Sequence, residues 1–150
     1  MNLWQARFDI VSREMICVTT KQYKTTWDSV TQPLVCNDEF AEFFKKSSGS
    51  SKLVIFGNAD GTCVGINCTG GCVRDVFCCI DSRCIDMDEL EIICDFICDN
   101  DAYIVKGDTI YPPEPQILHR LVMQSEAYRF AQNPSCYLAR FMSVDKTKLI

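Results

Sequence analysis

The stretch Leu53-Val54-Ile55-Phe56-Gly57, Asn58-Ala59-Asp60-Gly61, Thr62-Cys63-Val64-Gly65-Ile66-Asn67 decides the fold. The turn Thr69-Gly70-Gly71 follows, then the run Val73 to Asp81, then an acidic amphipathic segment from Asp86 to Asp99. Three apolar runs cut by glycine-bearing turns predict an antiparallel meander, and the last segment predicts a helix that covers it. The expected class is α+β: a central antiparallel sheet from 53 to 81 with helices packed on it, in a single domain spanning 1–150. Gly61 is expected to supply the positive φ of the first turn. Val76-Phe77-Cys78-Cys79-Ile80 is almost unbroken in apolar character, which predicts a central strand buried on both faces.

The helix after this strand has clear signals. Asp86 is the expected N-cap, with Glu89 three residues on as in a capping box. Met87, Leu90, Ile93, Cys94 and Ile97 form an apolar stripe, and Asp88, Glu91, Asp95 and Asp99 lie mostly on the other side. Asn100 is the expected C-terminal stop.

Toward the N-terminus, Phe8 to Val11 and Met15 to Thr19 read as two short strands or as one strand and a bend. Gln22 to Val30 reads as a short helix with Tyr23, Trp27 and Val30 on one face, the tryptophan as a core anchor. Beyond Pro33, Asn37 caps a helix expected to run to Lys46, with Asp38 and Glu39 in its first turn. Phe40, Phe43 and Phe44 make its core face, and Ser47 to Ser51 an exposed loop. Toward the C-terminus, Tyr103 to Val105 and Thr109 to Tyr111 predict a hairpin through Lys106-Gly107-Asp108. Pro112, Pro113 and Pro115 predict a stiff linker. A single helix is expected over 115–132, with Ile117, Leu118, Leu121, Val122, Met123 and Tyr128 on its apolar face. Tyr137 to Met142 reads as a final strand and Asp145 to Ile150 as a tail.

With 150 residues and 47% apolar content the chain can bury a real core. Its net charge of −5 argues against a nucleic-acid partner, which calls for a basic face. The segment Met1 to Ile10 lacks a signal-peptide apolar run, and no apolar stretch reaches transmembrane length. A cytoplasmic location with mostly reduced thiols is therefore expected for the eleven cysteines.

Those cysteines raise the question of zinc. Cys63, Cys68 and Cys72 are followed by Cys78, Cys79 and Cys84, with no Cys-x-x-Cys clamp. Cys78 and Cys79 point to opposite faces of a strand, so one metal cannot easily use both. Cys94 and Cys98 share a helix face, but that face also carries Leu90 and Ile97. No metal, no cofactor and no catalytic residue is assigned. A thioredoxin-like site would need Cys-x-x-Cys. The single histidine, His119, reads as a partly buried structural residue, with a cysteine–histidine hydrolase as the enzymatic alternative. The glycines match no phosphate-binding loop.

Charge asymmetry is the signal that rises above background. Ten of the twenty acids lie between Asp75 and Asp108, where the only bases are Arg83 and Lys106. From Gln116 onward the bases Arg120, Arg129, Arg140, Lys146 and Lys148 face only Glu126 and Asp145. Like charges along a helix face repel by a few tenths of a kcal/mol per pair. A cationic protein partner would turn that repulsion into attraction and faster encounter. Asp86, Asp88, Glu91, Asp95 and Asp99 are the candidate partner-binding residues, against the plainer reading of a solvated helix face.

The segment from about 33 to 98 resembles the SUKH superfamily of immunity and interaction domains. Pro33-Leu34 precedes a helix with Asp38-Glu39-Phe40 and Phe43-Phe44. A loop, the strand Leu53 to Gly57, the turn Ala59-Asp60-Gly61, a second strand, the strand Val76 to Asp81 and the capped helix from Asp86 follow in order. The usual Leu-Pro order is inverted here, and Ser-Ser-Gly replaces the Asn-Gly that often ends the first helix. The resemblance implies a non-enzymatic binding protein. Bacterial members are immunity proteins that neutralise a cognate toxin, often a nuclease with a basic cleft. Members from large DNA viruses engage host defence proteins instead, an alternative that the cysteine richness favours. Tyr23-x-x-Thr26-Trp27 looks like a segment of contact-dependent inhibition immunity proteins and favours the bacterial option.

Overall fold

A computed structural model describes residues 2–17, 22–23, 27, 33–49, 52–136 and 138–139, with side chains for all of these except 17, 22, 23 and 47–49. The elements in chain order are β1 (Gln5–Ser12), a 3-10 turn (Arg13–Met15), β2 (Ile16–Cys17), β3 (Gln22–Tyr23) and α1 (Asp38–Phe43). Then come β4 (Lys46–Gly49), β5 (Leu53–Gly57), β6 (Cys63–Thr69), β7 (Cys72–Asp81) and α2 (Met87–Asp99). The chain continues through β8 (Ala102–Lys106), β9 (Thr109–Tyr111), α3 (Pro115–Met123) and α4 (Glu126–Gln132). The fold is α+β, as the meander predicts.

The sheet is wider than its 53–81 nucleus. Seven strands run in the order β4-β5-β6-β7-β1-β8-β9, every neighbouring pair antiparallel. β1 enters the middle, between β7 and β8, and the 102–111 hairpin extends the same sheet. On β1 the alternation is clear: Ala6, Phe8 and Ile10 are buried while Arg7 and Asp9 are exposed. Val76 to Ile80 of β7 are all buried, which agrees with the central strand expected there.

One sheet face carries the helices. Phe8, Ile10, Val64, Ile66, Val76, Cys78, Ile80 and Ile104 pack with Phe40, Leu90, Ile93, Phe96, Ile97, Leu118 and Val122 in the main buried cluster. Ile55, Cys63, Phe77 and Cys79 make a second, separate cluster. Cys78 and Cys79 therefore do sit on opposite sides of β7. Trp27 is a core anchor, 5% exposed, its indole N–H donating to the Ile10 carbonyl at 2.9 Å.

Several local expectations need correction. Gln22 and Tyr23 pair as a strand with Ile16 and Cys17 rather than starting a helix; Val30 lies outside the described residues. α1 ends at Phe43, three residues early, because Lys46 to Gly49 pair with β5 as an edge strand where a loop was expected. Phe40 and Phe44 are buried but Phe43 is half exposed, since one short helix can turn only one flank to the core. The expected 115–132 helix is two helices: Ser125 caps α4, its hydroxyl oxygen accepting from the Tyr128 amide. Met123, at the break, is exposed rather than on the core face. Leu138 and Ala139, inside the expected last strand, are helical; the rest of that strand and the tail lie outside the described residues. Among the described glycines, the first turn takes its positive φ at Gly57 (+100°), not at Gly61.

Candidate functional site

The five candidate acids belong to α2 and its cap. Asp86 is the N-cap, and its carboxylate accepts from the Asp88 amide at 2.9 Å. The reciprocal bond from Glu89 that would complete a capping box is not formed among the described residues. Asp88, Glu91, Asp95 and Asp99 are all exposed. At 3.6 residues per turn their positions fall within about 80° of helix arc. The acids are thus gathered on one flank, as their spacing predicts.

The buried flank is broader than the expected stripe. Ile92 and Phe96 join Leu90, Ile93, Cys94 and Ile97 in the core, while Met87 is 40% exposed. The reason is packing on more than one side. The Phe96 ring stacks on Phe40 of α1 with centroids 4.6 Å apart, while other residues of α2 meet α3 and β8. What stays in water is a narrow ridge, and that ridge carries the carboxylates.

The acids differ in their engagements. Asp99 accepts from the Asn37 side-chain amide at 2.9 Å, which ties the end of α2 to the cap of α1. Asn100 reinforces this join through the backbone of Val35, accepting from its amide and donating to its carbonyl. Asn100 is the C-cap, but the left-handed residue is Asp101, at φ 49°. Asp88, Glu91 and Asp95 form no ion pair among the described residues, and α2 has no base in its last turn. Burial, with Cys98 and then Asp95 adding to it, raises the Cys94 thiol to about 12.

Beside the start of α2 lies an open cleft of about 550 Å³ that the sequence does not announce. Glu42, Phe43, Lys45, Lys46, Asp81 and Glu89 are among its lining residues. Burial, with Asp86 and Asp81 nearby, raises the Glu89 carboxyl above its ordinary range. Asp81 is already held by Arg83, whose guanidinium donates to both carboxylate oxygens at 3.0 and 2.9 Å. The cleft is mixed in charge.

The ten cysteines whose side chains are described are all free thiols. Among the described residues no group of three or more His, Cys, Asp or Glu side chains is arranged to hold a metal ion. His119 is half-buried on α3, and no hydrogen bond joins it to a cysteine among the described residues. No helix among them is long and apolar enough to cross a membrane. Comparison of the chain with protein-family models, with curated proteins and with solved structures gave no match.

Proposed function

We propose that this chain is a non-enzymatic binding protein that neutralises a cognate, basic, nuclease-type toxin by covering it with the ridge of α2. The observation that carries the reading is the ridge itself: Asp88, Glu91 and Asp95 are exposed, aligned and in no ion pair among the described residues. Asp86 and Asp99 flank them, one as a cap and one tied to Asn37. A ridge of one charge on a rigid, well-buried helix is pre-organised for a basic surface and steers its approach. From α1 to α2 the element order is that on which the SUKH resemblance rests, except that β4 stands where the resemblance has a loop.

The test is co-expression with the product of the adjacent reading frame, read as colony survival. Survival with the wild-type protein and its loss with Asp88→Lys/Glu91→Lys/Asp95→Lys supports the reading. Equal death with and without the protein overturns it. Survival untouched by the triple reversal moves the contact away from α2. The cysteine richness favours a second reading, a viral protein that binds host defence proteins. Pull-down from host lysate, run beside a panel of bacterial toxins, separates the two.

A further inference from the structure

Cys63 on β6 and Cys79 on β7 are direct cross-strand partners. They are the one cysteine pair so opposed among the described residues. Both lie in the small second cluster, 2% and 5% exposed, away from the face that carries the helices. The Asp81 amide donates toward β6, to the Thr62 hydroxyl at 3.0 Å. Amides two apart on a strand point the same way, so Cys79 and Cys63 face each other as a hydrogen-bonded pair. Such a pair holds its Cα atoms about 5.5 Å apart, inside the span of about 4.4–6.8 Å that a disulfide bridges.

Arg7 is the partner of Cys79 on the other side, across β1. Its guanidinium lies over the Phe77 ring, 4.0 Å from the centroid, so a positive charge sits beside the pair. We propose that Cys63 and Cys79 are a reversible dithiol–disulfide site whose co-substrate is a low-molecular-weight disulfide. The Cys63 thiol first, then the Arg7 charge, lowers the Cys79 thiol, while Cys79 and burial raise Cys63. Arg7, opposite Cys79 on β1, favours a thiolate there, which makes Cys79 the attacking sulfur and Cys63 the resolving one.

The exchange balances without a further oxidant. The Cys79 thiolate attacks one sulfur of the small disulfide, and the other leaves as a thiolate, which takes up the Cys63 proton. The Cys63 thiolate then attacks the Cys79 sulfur of the mixed disulfide and expels the second small thiolate, which takes a proton from water. Two protein thiols are oxidised to one disulfide, and one small disulfide is reduced to two thiols. The product links β6 to β7 within the sheet. A hydrogen-bonded pair holds its side chains farther apart than a non-hydrogen-bonded one, so the bridge is strained and easily reduced.

The experiment uses the full chain equilibrated in glutathione buffers of rising oxidised fraction, acid-quenched, alkylated and digested with trypsin. Cleavage after Lys52, Arg74 and Arg83 puts Cys63 in peptide 53–74 and Cys79 in peptide 75–83. The expected result is a link between these peptides with loss of two hydrogens, reversed by dithiothreitol. Fragment ions place it at Cys63 and Cys79 rather than at Cys68, Cys72 or Cys78. In Cys63→Ser the link gives way to a glutathione adduct at Cys79. The proposal is overturned if both thiols stay free at every ratio while exposed cysteines such as Cys36 and Cys84 carry glutathione. A link to any other cysteine overturns it equally.

Discussion

Single atoms decide the two sharpest residue-scale outcomes. A Cβ on Gly57 would lie 2.7 Å from the Thr62 carbonyl oxygen, and its φ of +100° is closed to other residues. Gly57→Ala is expected to cost about 2 kcal/mol or more, from strain and overpacking together. The urea midpoint measures it; an unchanged midpoint would show that the turn can rearrange. Glu89 gives a pH signature. Its folded carboxyl is raised by burial first, then by Asp86 and Asp81, above the ordinary value of 4.5. A raised acid binds its proton more tightly in the folded chain, so stability is fully present below about the ordinary value and falls as pH climbs through the raised one. Glu89→Gln should flatten that stretch of a urea-midpoint-against-pH curve. Parallel curves for the two proteins would refute the shift. The sequence placed the special glycine at Gly61, because a glycine ending Asn58-Ala59-Asp60-Gly61 looks like the turn residue. The backbone instead turns left-handed at Gly57, where β5 packs against Phe44 as well as Thr62, and the contact with Phe44 lies outside the turn's own sequence.

Elements were legible where one segment held its own explanation. α2 has a cap, a periodic stripe and a stop, so its bounds and its acid ridge could be read directly, and the 102–111 hairpin turns at Gly107 in the left-handed region as its sequence says. Elements defined by a remote partner were not. Lys46 to Gly49 have loop composition and become a strand only because β5 offers a free edge. The widened core flank of α2 follows from α1, through the cluster in which Phe40 touches the rings of Phe44, Phe56 and Phe96 at 5.4, 5.6 and 4.6 Å. That cluster makes a contrast inside one helix. Phe40→Ala should destabilise by about 3–5 kcal/mol through lost burial and the cavity left. Phe43→Ala, at a position half exposed, should cost under about 1 kcal/mol. Equilibrium urea unfolding of the two variants checks the ranking, and equal losses would mean that α1 is not anchored through Phe40. Ser125→Ala should cost about 1 kcal/mol by removing the cap that starts α4.

At the scale of the whole molecule, the N-terminal strand closes the architecture. β1 joins a meander more than forty residues later in the chain to a hairpin later still, which periodicity within a window cannot reveal. With the sheet so completed, α2 is clamped by α1, α3 and β8 and exposes one ridge. The question is whether that ridge serves a partner or only water, and one substitution separates the two. Asp95 stands four residues from both Glu91 and Asp99, so it repels both along the ridge. Asp95→Lys turns two repulsions into two attractions and sets a positive charge in the C-terminal half of α2, where the dipole favours it. Folding stability should rise by roughly 0.5–1 kcal/mol at low salt, a gain that fades as salt screens it. If the ridge meets a basic toxin, association should slow at the same time and lose much of its salt dependence, because a repulsive charge now stands in the path of approach. Urea unfolding and stopped-flow association at two ionic strengths read both quantities on one protein. A more stable protein that binds more slowly places the ridge in the interface; a more stable protein whose association rate is unchanged leaves it a solvated face.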